Sequence, residues 1–257
     1  MTVQLVPTKA GNTDTALRRN GCLAALSPET LAHLKPYLKR QDVLEGTILW
    51  DPEQPSSDVY FPATGVIAIG VPLREGSNVE SASVGPEGAA GAFLEAENEQ
   101  ALTRGVVQIG GDFYRISAAH LSGLPNREIL ALQTFCKDWI LLQAQQRAAC
   151  NAVHTAEQRL ARWLLQNLER ANGTELRATQ ELIADALGIR RTTVTLIAQS
   201  FQAKGHIQYR RGTISAPDPQ RLAKLSCECH AGLSKGHWPS QRLASFSGRG
   251  PAHRREA

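Results

Sequence analysis

The chain has 257 residues and a net charge of +4, with 42% hydrophobic and 20% charged residues. That allows one large domain or two smaller ones with an ordinary core. No apolar run approaches the roughly 20 residues that span a bilayer, and the first fifteen residues lack the basic-then-apolar layout of a secretory signal; the expected compartment is the cytoplasm.

Five cysteines, Cys22, Cys136, Cys150, Cys227 and Cys229, read as free thiols of a reducing compartment, not as a disulfide framework. Charge is unevenly spread. Residues 1–154 carry 12 Lys/Arg against 16 Asp/Glu, residues 155–229 carry 11 against 7, and residues 230–257 carry 5 against 1. An acidic front half and a basic back half suggest that the back half meets a polyanion.

In chain order, residues 1–20 are polar and read as a flexible N-terminal arm. Residues 21–40 read as short helices, with Ser27 as N-cap and Pro28 at the first helical position. From about 41 to 115 the texture changes to short runs rich in Val, Ile and aromatics, punctuated by Gly and Pro. Short strands at regular spacing predict a small antiparallel sandwich or barrel, placed over 21–126. Gly85-Pro86-Glu87-Gly88 is a tight turn within it.

Residues 127–153 switch to helical periodicity. Ile129, Leu132, Cys136, Trp139 and Ile140 recur at spacings of three and four, and the pattern runs on through Gln143, Gln146 and Cys150. This predicts one long helix of about 25 residues, or about 38 Å. A second copy of the same helix is the expected cover for that stripe, through Leu132, Cys136, Trp139 and Gln143, in a two-fold homodimer. A further amphipathic helix follows over 155–171, with Thr155 as N-cap and Leu160, Trp163, Leu164, Leu165 and Leu168 as its core face.

The stretch Thr179–Phe201, TQELIADALGIRRTTVTLIAQSF, carries the functional signal. With Gln180 as first position, Ala184 falls where two helices cross closely. Gly188 falls in the turn, where a positive φ favours glycine. Ile183, Leu187, Ile189, Val194 and Ile197 take the positions that lock the pair together. The second helix, beginning near Arg190, turns Arg190, Arg191, Thr192, Thr195 and Gln199 outward, the profile of a recognition helix in the major groove.

Arg191 could read a guanine edge with two hydrogen bonds, worth roughly 1–3 kcal/mol of discrimination. Thr192 and Thr195 face a base edge or a thymine methyl. Arg190 and Thr193 suit phosphate, and Thr179 and Gln180 are further candidate DNA-binding residues. Two cations at a helix N-terminus oppose its dipole, and phosphate resolves that conflict. The following IQYRRGTISA reads as a wing hairpin that brings Arg210 and Arg211 to the DNA backbone.

On these motifs the chain resembles the Crp/Fnr family of bacterial transcription regulators. ATQELIADALGIRRTTVTLIAQSFQAKGHIQYRRGTI carries most of the resemblance, which runs over about residues 20–229, and QDVLEGTILW and VGPEG add to it. The resemblance implies an α+β fold: an N-terminal antiparallel β-roll of the cupin-like jelly-roll kind, a long dimerisation helix, and a winged helix-turn-helix over 154–229. It implies a homodimer on two-fold-symmetric double-stranded DNA, with RNA polymerase and a small-molecule effector as further partners. The effector would lie at Gly85, Glu87, Gly88, Thr103 and Arg104.

The chain also departs from the family. Thr103-Arg104 reverses the Arg-Ser/Thr order of cyclic-AMP-binding members, with the acidic EAENE before it, and only Cys22 precedes the roll where an iron–sulfur centre needs four thiolates. Cyclic AMP and an iron–sulfur cluster are therefore not expected, and the cofactor stays open. Thr192 stands where an acidic residue is common beside the first Arg of the recognition helix.

Residues 230–257 read as a disordered basic tail. Cys227-x-Cys229-His230 lacks an evident fourth ligand, so no metal site is expected. No catalytic grouping or phosphate loop of the GxxxxGK type occurs, which makes an enzyme the last choice. The alternative to a DNA-binding regulator is a small-molecule-binding β-roll protein without a DNA role.

Overall fold

The computed structural model describes residues 13–52, 54, 57–74, 76–91, 101–123, 127–171 and 173–234. Three short helices lead the chain: α1 (Thr13–Leu17), α2 (Gly21–Ala25) and α3 (Pro28–Leu34), followed by a 3₁₀ turn over Lys35–Tyr37. Ser27 caps α3 by accepting from the Thr30 amide, and Pro28 opens the helix, as its fixed φ allows. Residues 13–20 were expected in a flexible arm; they are folded. Leu17 is buried in the core, and the Asn20 side chain donates to the carbonyls of Pro62 and Gly88 while capping α2. The rest of that arm lies outside the described residues.

Among the described residues the roll has eight antiparallel strands in two sheets: β1 (Lys39–Val43), β2 (Ile48–Trp50), β3 (Asp58–Pro62), β4 (Val66–Pro72), β5 (Asn78–Val84), β6 (Ala90–Gly91), β7 (Arg104–Ile109) and β8 (Gly111–Ser117). One sheet has the order β1-β8-β3-β6 and the other β2-β7-β4-β5. Between them lie Val43, Trp50, Tyr60, Ile67, Ile69, Val84, Val107 and Phe113. Gly105 is required by this packing: a Cβ there would stand 2.4 Å from the Trp50 ring. After α4 (Ala118–Ser122), the helix α5 runs over Arg127–Val153, 27 residues.

The inner stripe of α5 packs on its own roll. Ile129, Leu132, Phe135, Cys136 and Trp139 share one core with Leu23, Leu34, Val59, Phe61 and Ile116, and the Ser83 amide donates to Gln143 at 3.3 Å. This corrects the expected dimer surface: Leu132, Cys136, Trp139 and Gln143 are covered by the same chain. The large apolar residues left exposed on α5 are Leu130, Leu141 and Val153.

The back half is built from α6 (Ala156–Arg170), β9 (Glu175–Arg177), α7 (Gln180–Leu187), α8 (Arg191–Ala203), β10 (Gln208–Arg210), β11 (Thr213–Ser215), α9 (Pro219–Ala223) and α10 (Cys229–Ser234). Thr155 and Gln158 form a reciprocal capping box at the start of α6. Leu160, Trp163, Leu164, Leu168, Ile183, Leu187, Val194, Ile197, Phe201 and Ile214 make one separate core. The helix α10 carries order to Ser234, past the expected start of the tail; the remaining tail lies outside the described residues. Among the described residues, no helix is long and apolar enough to cross a membrane.

The two halves meet at β5. Glu80, almost fully buried, accepts from Gln108 Nε2 at 2.8 Å and from Trp163 Nε1 at 3.2 Å, and pairs with Arg147 of α5. Burial pulls the Arg147 guanidinium below its ordinary range, while the Glu80 carboxylate opposes that shift. Arg159 of α6 donates to the Leu187 carbonyl. A Cβ on Gly188 would touch Val79 of β5 at 3.3 Å.

Candidate nucleic-acid interface

The paired helices follow from a few residues. Thr179 caps α7 by accepting from the Leu182 amide at 3.1 Å. The helix stops at Gly188, with φ 60° and ψ 43°, while the Ile189 amide still reaches the Ala184 carbonyl at 3.1 Å. That left-handed residue turns the chain, and glycine takes it without the Cβ strain of other residues. Ile183, Ala184, Leu187, Val194 and Ile197 are buried between the helices, and Ile189 is partly buried beside them. The spacing read from the sequence is the spacing that packs.

The opposite face of α8 is open. Arg190, Arg191, Thr192 and Gln199 are exposed, and Thr193 is half-buried. Arg190 is the N-cap of α8 and makes no side-chain cap bond, and Arg191 follows it, both exposed; a helix start with no capping side chain and two cationic residues favours an anion. Arg191 has one exposed carboxylate neighbour, Glu181, at 3.5 Å; such a pair contributes little and exchanges readily.

Thr195 differs from expectation. Its hydroxyl lies 2.7 Å from Gln180 Oε1 and 3.0 Å from the Arg191 carbonyl, so it ties α8 to α7. The apolar group on the open face is instead Leu196, 67% exposed. With Thr192 and Gln199 it forms an i, i+4, i+7 row. Sequence reading missed it because a leucine in an amphipathic helix is ordinarily assigned to the core.

The wing stands beside α8. The strands β10 and β11 pair with Arg210 opposite Thr213, and Arg211 and Gly212 form the turn with φ of 49° and 78°. Two positive φ values match the twist of a tight hairpin. The Gln202 side chain of α8 accepts from the Tyr209 amide at 2.9 Å, and the Tyr209 hydroxyl donates to the Ala178 carbonyl at 3.3 Å. Arg210 and Arg211 are both exposed.

The residues expected to hold an effector are engaged elsewhere. Glu87 Oε1 accepts from Arg170 Nη2 at 2.6 Å and from the Gly85 amide at 3.1 Å. Arg104 makes a two-pronged pair with Asp51 at 2.8 and 3.0 Å, and Thr103 accepts from Trp50 Nε1 at 3.3 Å. The turn Gly85–Gly88 and the start of β7 are thus held by two separate networks. The EAENE stretch lies outside the described residues. The absence expected of a fourth ligand for Cys227 and Cys229 is also corrected: Cys150 and His154 stand with them, with all four ligand atoms within 4.8 Å of one another.

A roll is followed by a long helix and a winged helix-turn-helix with an open, basic helix face. Residues 158–225 match the family described as the Crp-like helix-turn-helix domain. The fold is shared with a crp/fnr-family transcriptional regulator from Eubacterium rectale (18% identity, 79% of this chain and 95% of that one, TM-score 0.63). It is shared with FixK2 from Bradyrhizobium japonicum (18%, 74% and 98%, TM-score 0.62). A CRP/FNR-family transcriptional regulator from Thermus thermophilus is also similar (22%, 73% and 98%, TM-score 0.62). At these identities the likeness to the solved structures is one of fold. No curated protein matches the sequence.

The chain thus carries a Crp-like helix-turn-helix domain over residues 158–225 and shares its overall fold with regulators of the Crp/Fnr type.

Proposed function

We propose that the protein is a homodimer that reads a two-fold-symmetric DNA site by laying α8 in the major groove. The observation that carries this reading is the exposed row Arg191, Thr192, Leu196 and Gln199 on a helix whose other face is locked to α7. Arg191 reads a guanine edge, Leu196 packs on a thymine methyl, and Thr192 and Gln199 meet base edges. Arg190, Thr193, Thr179, Arg210 and Arg211 hold phosphate and set the register. Gln180 and Thr195 brace the recognition helix.

Dimerisation uses the outward stripe of α5. Leu130, Thr134, Lys137, Leu141, Gln145 and Ala148 are exposed there at spacings of three and four, the seam of a paired helix. The partner therefore covers the face opposite to the roll. Symmetric pairing sets the two recognition helices one helical turn of DNA apart.

An effector at the Gly85–Gly88 turn would compete with Arg170 for Glu87, which couples the roll to the first helix of the DNA-binding half. The protein acts without catalysis, in the cytoplasm where its target lies, and RNA polymerase is its next partner at a promoter. The test is selection from a random DNA pool with purified protein, then anisotropy on the selected site across a salt series. A palindromic site with log affinity falling steeply against log salt is the expected result. Failure to enrich any symmetric site would overturn the reading.

A further inference from the structure

The fold brings together three cysteines and one histidine from two distant places in the chain, Cys150 and Cys227 being 77 residues apart. Cys150 is in the last turn of α5 and His154 follows that helix directly; Cys227 and Cys229 bracket the start of α10. Cys150 Sγ lies 3.6 Å from Cys227 Sγ, and Cys229 Sγ lies 3.6 Å from His154 Nδ1. All four ligand atoms are within 4.8 Å of one another. The three cysteines are buried as a small cluster of their own.

The two 3.6 Å separations are those of neighbouring ligands on one tetrahedral ion. With metal–sulfur bonds of about 2.3 Å and metal–nitrogen bonds of about 2.0 Å, sulfur–sulfur edges are about 3.8 Å and sulfur–nitrogen edges about 3.6 Å. An iron–sulfur cluster would spread its ligands over separate iron atoms and hold them further apart.

The surroundings point the same way. His154 turns Nδ1 to the cysteines and Nε2 to Glu228 Oε2 at 3.1 Å, the carboxylate–histidine relay that fixes the tautomer of a metal ligand. Gln146 Nε2 donates to Cys229 Sγ at 3.0 Å, a bond a thiolate accepts better than a thiol. Arg162 is buried to 1% exposure, acts electrostatically on both Cys150 and Cys227, and has its Nε unpartnered. Among the described residues no carboxylate forms an ion pair with it. Zn(II) with three thiolates and a neutral imidazole carries a net charge of −1, which would supply the missing counter-charge.

We propose that Cys150, His154, Cys227 and Cys229 form a structural Zn(II) site that ties the end of the dimer helix to the segment after the wing. Three thiolates and an imidazole select zinc over hard cations, and four protein ligands leave no open position for catalysis. The ion bridges the junction at Val153–Thr155, where the chain passes from the α5 helix to the DNA-binding half. It therefore sets the angle at which the recognition helix is presented. The proposal does not depend on which DNA site is read.

The full-length protein, purified under reductant, is assayed for bound zinc by mass spectrometry, and refilled with Co(II) for absorption spectroscopy. Expected are one zinc per chain and a Co(II) spectrum with thiolate charge transfer and intense tetrahedral bands. Cys150→Ser and Cys227→Ser should hold less than about a tenth of the wild-type zinc. His230→Ala and Cys22→Ala, which lie outside the cluster, should retain it. Glu228→Gln, at an exposed position, should weaken zinc affinity by about 10–100-fold without unfolding the chain; this variant carries the test if the cysteine variants do not fold. A wild-type chain that binds neither zinc nor tetrahedral Co(II), unchanged zinc in Cys150→Ser, or a Cys150–Cys227 disulfide in the reduced preparation would each overturn the proposal.

Discussion

Arg170 Nη2 of α6 stands 2.6 Å from Glu87 Oε1 in the turn after β5, and Arg170 Nη1 donates to Ser83 Oγ at 2.6 Å. One guanidinium thus joins the DNA-binding half to the part of the roll where an effector was expected. Arg170→Ala should cost about 1–2 kcal/mol. Hydrogen exchange should show faster amides in β5 and in the last turn of α6, with the distant β1–β8 pair unchanged. Uniform loss of protection would mean global destabilisation instead.

Glu80 is the deeper link. Its carboxylate is the partner of Arg147, which is itself buried. Glu80→Ala leaves that cation uncompensated, for an expected loss of about 3–5 kcal/mol. Glu80→Gln should lose less, since the amide oxygen still accepts from Gln108 or Trp163. Urea unfolding of the two variants checks the order.

On the recognition helix, Arg191→Ala should relax preference at one base pair of each half-site, with a loss of about 1–3 kcal/mol per half-site on the preferred sequence. Leu196→Gln should change which base is chosen at a second position, while the salt slope stays the same because no charge is removed. Repeating the pool selection with each variant separates the two effects.

In the wing, Arg211 holds φ 49°, a conformation that strains a residue with a Cβ by roughly 1–2 kcal/mol. Arg211→Gly should therefore raise stability by about 1 kcal/mol while weakening DNA binding on every sequence alike. The slope of log affinity against log salt should drop by about 1.8, one phosphate contact being lost from each protomer of the dimer. Thermal melting and anisotropy on the same preparation test both halves of the prediction.

Asp185 gives a pH dependence. Burial, with the Glu181 carboxylate second, raises its carboxyl above the ordinary range. A raised folded-state value means the folded protein holds the proton more tightly. The penalty is absent well below the carboxylate range, grows as pH rises through the unfolded and then the folded value, and is constant above. Asp185→Asn should stabilise the protein at neutral pH, with the gain closing as pH falls into the acid range. A difference independent of pH would show that charge is not the cause.

How far the sequence foretold this structure depended on the range of the interaction. Ala184 and Gly188 marked the turn because their constraint is local: a close crossing and a positive φ admit few residues. Ser27 and Thr155 announced their helices for the same reason. The stripe Leu132–Trp139 was legible as buried but not as to what buries it, since periodicity shows a covered face and not its cover. Thr195 left its expected outward role, and Leu196, to which the sequence reading gave no role, is exposed instead, because facing direction near a helix crossing depends on the rotation of the partner helix. The cysteine–histidine cluster was only half legible: Cys227 and Cys229 stood out as a pair, but Cys150 and His154 lie some 75 residues earlier and join them only through the fold.

The two stripes of α5 share a backbone but no side chains. Leu132 and Trp139 answer to the roll, while Leu130 and Leu141 answer to whatever lies outside. Substitutions on the outer row can accumulate without disturbing the inner one. Such a helix can change or lose its mate over evolutionary time while the domain it supports stays intact, so a paralogue arising by duplication could become orthogonal to its parent through a few outward residues alone.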